Sequence, residues 1–174
     1  MPRPPVNALA LSRRLLRVLI PMNRLLGVLI LALLISSLIA PTWVMTALGT
    51  PPTDRNGPLI LGMRLIMVIG ILAVPVTNVV LTRLRAIVST VNEGDPFVAQ
   101  NADRLQQIAW SVLSLELLHL SVGAVLAAVA STAAPLNTGW TFSFTPWLAV
   151  LLLFVLARVF DHGTRMREEL ERTV

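Results

Sequence analysis

Long apolar runs alternate with short polar breaks along the whole chain. A bilayer core about 30 Å thick is crossed by roughly 20 helical residues at 1.5 Å each. The stretch from Leu25 to Thr53 carries no ionisable side chain. A second run begins near Leu65. A third follows Ile108 and is interrupted by Glu116 and His119. The fourth ends near Arg158. The pattern predicts membrane spans over about residues 25–48, 59–82, 105–130 and 141–160.

The breaks are built from turn chemistry. Residues 50–58, 94–96 and 135–139 are rich in Pro, Gly, Asn and Asp. Two flanks are amphipathic. Residues 7–20 set Arg13 and Arg17 against Leu11, Leu15 and Val18, which predicts an interfacial helix ending in a turn at Pro21. In the tail, residues 161–174, Arg165–Glu169, Arg167–Glu171 and Glu168–Arg172 stand four apart, which predicts a short surface helix after Gly163. The expected fold is all-α: an integral membrane four-helix bundle, residues 1–174 forming one membrane domain, with an N-terminal interfacial helix and a short cytoplasmic C-terminal helix.

Composition agrees with the pattern. The chain is 55% hydrophobic and only 13% charged, and its mean hydropathy is +0.77. A soluble domain of 174 residues needs more polar surface. With no cysteine, disulfides within the chain and thiolate metal sites are excluded. All 14 basic residues are Arg, a bias that hints at a GC-rich bacterial genome.

The net charge of +5 is no argument for nucleic acid, because the Arg residues flank the apolar runs. Arg3, Arg13, Arg14, Arg17 and Arg24 precede the first span. Arg83, Arg85 and Arg104 fill the middle loop. Arg158, Arg165, Arg167 and Arg172 follow the last span. Only Arg55 and Arg64 fall on the other side. The positive-inside rule then places both termini and the middle loop in the cytoplasm of a multi-pass bacterial inner-membrane protein. The pair Arg13-Arg14 loosely resembles an export signal, but the run after it is long and no cleavage site follows.

Chemistry has few places to sit. Glu116 and His119 lie inside the third run at i,i+3, on a stripe that also carries Ala109, Gly123, Ala127 and Ala130. A carboxyl group inside a membrane is costly and usually faces protein, and small neighbours permit close helix approach. Ser36, Ser37, Arg64, Thr77 and Asn78 are polar groups that this face is expected to meet. One reading makes the site an interhelical hydrogen-bond cluster; the other makes it a proton or small-solute path. Glu-x-x-His also occurs in di-iron helices, but no other acid lies inside a span to complete such a site. No metal, cofactor or catalytic constellation is expected, and no nucleophile or phosphate-loop motif is present.

The middle loop reads Asn92-Glu93-Gly94-Asp95-Pro96-Phe97, then Asn101 and Arg104-Leu105. Gly94 can end a helix, and Asp95-Pro96 forces a turn. Phe97 can dip into the interface. Asn101 is expected to cap the third span, with Asp103 in its first turn. This elbow, with Val159-Phe160-Asp161-His162-Gly163 and Arg167-Glu168-Glu169-Leu170, resembles the DUF2975 family of small four-span bacterial membrane proteins of unknown function. Glu169 and Arg172 depart from the residues usual there. The resemblance implies no catalytic residues. It suggests a small helix-turn-helix regulator as partner, since such genes often stand beside members of the family. The expectation is therefore a non-enzymatic regulatory or sensory accessory protein working through cytoplasmic contacts. It would sit in the lipid bilayer and touch a regulator or another membrane protein, without binding nucleic acid itself; self-association stays open. The alternative is a proton or small-solute pathway component built on Glu116 and His119.

Overall fold

The computed structural model describes residues 6–47, 57–94, 98–132 and 142–173. Five helices account for nearly all of them: α1 (Val6–Ile39), α2 (Pro41–Ala47), α3 (Gly57–Asn92), α4 (Ala99–Thr132) and α5 (Thr145–Thr173). All but the short α2 are long and apolar enough to cross a membrane. The protein is thus an all-α membrane protein. The loops at residues 48–56 and 133–141, and Asp95, Pro96 and Phe97 of the elbow, lie outside the described residues.

Three boundaries differ from the sequence expectation. The chain does not turn at Pro21: residues 7–20 run straight into the span as one helix, α1. Proline removes one backbone donor, but a long helix can carry that loss where neighbours satisfy the freed carbonyl. The first span also stops at Ile39 rather than near 48, because Pro41 cannot donate to Ser37 and starts the separate α2 instead. At the other end, Gly163 does not separate a tail helix. Thr164 Oγ1 donates to the Phe160 carbonyl at 2.9 Å, and Arg165 pairs with Asp161 at 3.2 Å, so α5 continues through Gly163.

The spans pack as a series. α1 lies against α3, α3 against α4 and α4 against α5, so each leans mainly on its neighbour in sequence. Close contacts fix the register. Gly27 lies on Val74 and Ser37 opposite Arg64 across α1 and α3. Gly62 lies on Val129 and Thr90 opposite Asn101 across α3 and α4. Both pairs of helices are therefore antiparallel. With Trp110 edge-on to Phe154, and Asp103 in one cleft with Asp161 and Arg165, α5 also runs antiparallel to α4. The first turns of α1, the last turns of α5 and the α3–α4 elbow share one end.

That end is rich in arginine and extends well beyond a bilayer. A helix of 36 residues such as α3 is about 54 Å long, against about 30 Å of hydrocarbon. Here the packing resembles a soluble core: Leu16, Ala102, Leu105, Ile108, Ala109 and Ala157 are buried. Along the spans the large side chains Leu25, Leu29, Leu72, Leu148 and Leu152 are exposed, as lipid contact requires.

Candidate functional site

The intramembrane polar residues fall into separate groups. On α4 the positions Ala102, Ala109, Glu116 and Gly123 repeat every seven residues and are all buried, forming a seam of small side chains with one carboxylate in it. Glu116 thus faces protein, its side chain 8% exposed. His119 turns out of the seam and is 50% exposed. Its Nδ1 stands 3.8 Å from Glu116 Oε2, which is the one polar partner of Glu116 among the described residues.

Arg64, Ser36 and Ser37 do not reach Glu116, and register explains why. Glu116 lies opposite Pro75, whereas Arg64 lies opposite Ala127, about 16 Å further along the helix axis. Arg64 closes the far end of α1 instead. Its Nε donates to Ser37 Oγ at 3.1 Å and its Nη2 to the Ser37 carbonyl. That carbonyl would normally accept from residue 41, but Pro41 has no N–H. The guanidinium replaces the missing donor, and Ser37 is wholly buried beneath it. Ser36, half-buried, accepts from the amide of Ala40 through its carbonyl. Asn78 accepts from Arg24 Nε at 3.4 Å, and Asn23 Nδ2 donates to the Val74 carbonyl at 3.0 Å, binding α1 to α3 near the level of Pro75.

The elbow departs more informatively. Gly94 has φ +88° and ends the helix, as its lack of a side chain allows. Asn101 does not cap α4, which begins at Ala99, and Asp103 falls just past the first turn. Asn101 is wholly buried inside the helix. Its Nδ2 donates to Thr90 Oγ1 at 2.8 Å, and Thr90 in turn donates to the Ile87 carbonyl at 2.8 Å. Its Oδ1 accepts from Arg104 Nη1, also at 2.8 Å. Gln100 Oε1 accepts a further Arg104 bond at 3.2 Å. A chain of hydrogen bonds thus runs from the α3 backbone through Asn101 to the Arg104 guanidinium.

Arg104 opens into a cleft of about 740 Å³ between α1, α3 and α4. Arg13 and Arg17 line it from α1, and Arg85 from α3. Thr82, Ser89 and Thr90 add hydroxyls. Among the described residues Glu93 is the one acid in the lining, and it accepts from Ser89 Oγ at 3.0 Å. Sequence reasoning missed the cleft, because Arg13, Arg17 and Arg85 each read as topogenic charges and their convergence depends on the register of three helices.

The model of the family described as "Protein of unknown function (DUF2975)" matches residues 65–174. The chain belongs to the DUF2975 family. The match covers α3 from Leu65 onward, the elbow with its Asn101–Arg104 chain, α4 and α5. The α1 wall of the cleft, with Arg13 and Arg17, precedes the DUF2975 match. No curated protein and no solved structure matches the chain.

Proposed function

We propose that this DUF2975 protein is a regulatory or sensory accessory protein of a bacterial inner membrane, without catalysis of its own, working through a cytoplasmic arginine-rich end. The observation that carries the reading is the placement of organised polar structure. The buried Asn101 chain and the arginine cleft both lie at the elbow end. By the positive-inside rule that end faces the cytoplasm, where a regulator would meet it. A small helix-turn-helix regulator as partner fits a signal passed through this surface.

The alternative is a proton or small-solute path. Its support is the burial of Glu116 in the α4 seam beside His119. The two readings separate by complementation. A strain lacking the gene is supplied with wild type, Glu116→Gln, or a double Arg85→Gln, Arg104→Gln variant, and transcripts are profiled. On the regulatory reading Glu116→Gln restores the wild-type profile and the cleft variant does not. The opposite pattern, with a proton flux in liposomes that Glu116→Gln abolishes, overturns it in favour of the path.

A further inference from the structure

We infer that the cleft at the elbow is a binding site for phosphate groups, filled either by the headgroup of an anionic lipid or by a soluble phosphate compound. The inference names the ligand class of the surface proposed above, and it rests on that reading only for what binding accomplishes.

Register is the first support. Continuing the α1–α3 contacts, Arg17 falls opposite Leu84 and Arg13 opposite Val88; continuing the α3–α4 contacts, Arg104 falls opposite Ile87. Together with Arg85 the four guanidinium-bearing positions occupy about 6 Å of helix axis. Topogenesis needs basic residues on one side of the membrane; it does not need them from three helices at one level around a concavity.

Charge is the second. Among the described residues, none of Arg13, Arg17, Arg85 and Arg104 pairs with a carboxylate, and Glu93 is the one acid that opposes them in the lining. Like charges gathered without counter-ions repel, and a multiply charged anion relieves that repulsion. A guanidinium fork fits phosphate oxygens in paired hydrogen bonds.

Preorganisation is the third. Arg104 is held by Asn101 and Gln100, and Asn101 is fixed by Thr90. An arginine already ordered loses less freedom on binding than a free one. Depth is the fourth. Twenty residues of α3 counted from Leu59 end at Asn78, so Thr82 lies near headgroup level and Glu93 beyond it. Lipid phosphate can enter at the first and soluble phosphate at the second.

The test uses the full-length protein in two arms. In one, protein extracted from bilayers of mixed phosphatidylglycerol and phosphatidylcholine is examined by native mass spectrometry for the lipid it retains. In the other, protein in phosphatidylcholine nanodiscs is titrated with inorganic pyrophosphate. Preferential retention of phosphatidylglycerol assigns the lipid source; saturable pyrophosphate binding assigns the soluble one. Arg85→Gln and Arg104→Gln should each weaken whichever binding occurs about ten-fold or more. Arg14→Gln and Arg83→Gln, which remove equal charge outside the cleft, should leave it unchanged; circular dichroism verifies folding of every variant. The inference is overturned by binding in neither arm, or by equal losses in the cleft and control variants. Transcripts unaffected by a cleft variant that has lost phosphate binding would refute the regulatory reading and leave the site standing.

Discussion

Arg64 should lose its importance when residue 41 regains a backbone N–H. Ser37 is wholly buried, and both its hydroxyl and its carbonyl accept from Arg64. Arg64→Gln shortens the side chain and removes the charge, leaving the Ser37 carbonyl without a donor. Hydrogen bonds inside membrane proteins contribute about 0.6 kcal/mol on average and about 1.7 at most. Two of them, one to a carbonyl with no other donor, put the cost of Arg64→Gln at about 2 kcal/mol, a shift of roughly thirty-fold in the folded to unfolded ratio. In Pro41→Ala, residue 41 can donate to the Ser37 carbonyl and let α1 continue towards α2. Arg64→Gln in that background should cost about 1 kcal/mol less, since the carbonyl bond is supplied by the backbone. A double-mutant cycle of equilibrium unfolding in detergent micelles measures the difference. Equal costs of Arg64→Gln in both backgrounds would refute the account of Arg64 as a substitute for the missing proline donor.

Asn101→Ala removes the link between Thr90 and Arg104 and should cost about 2 kcal/mol, with faster amide exchange over residues 88–94; Asn101→Asp, which still accepts from Arg104, should recover part of the loss. A side chain at Gly62 would collide with Val129, so Gly62→Val should destabilise the α3–α4 contact by about 1–3 kcal/mol, read as a lower melting temperature, whereas Gly57→Ala, with open space around it, should not. Reporter fusions after Glu93 and after Val174 should both report cytoplasm, and one after Asn137 the opposite side; a Val174 fusion on the outside would refute the orientation of α5.

Much of the architecture was legible because spans announce themselves by length. Leu25 to Ile39 or Trp147 to Ala157 can hardly be anything but apolar helix, and Gly94 marks the helix end that φ +88° later explains. What pattern reading could not decide was competition between local signals and tertiary contacts. Pro21 and Gly163 interrupt their helices only locally, and the long helices around them carry the loss, so neither ends one. Asn101 carries a capping side chain, but its partner Thr90 lies across the elbow, and a contact between two helices has no one-dimensional trace. The same holds for Arg64 and Glu116. Both are expensive residues in apolar runs and were naturally paired with each other, yet the register sets them two to three turns beyond reach. The cleft was the least visible feature, since it exists only once three helices are aligned.

Serial packing also bears on how the chain is made. A ribosome delivers α1, α3, α4 and α5 to the membrane in that order, and each new span finds its main partner in the one inserted just before it. No helix has to wait for a distant segment, and the search for native contacts stays local, a condition associated with fast folding. Assembly can therefore proceed as a growing row, with the free flank of the newest helix ready to receive the next.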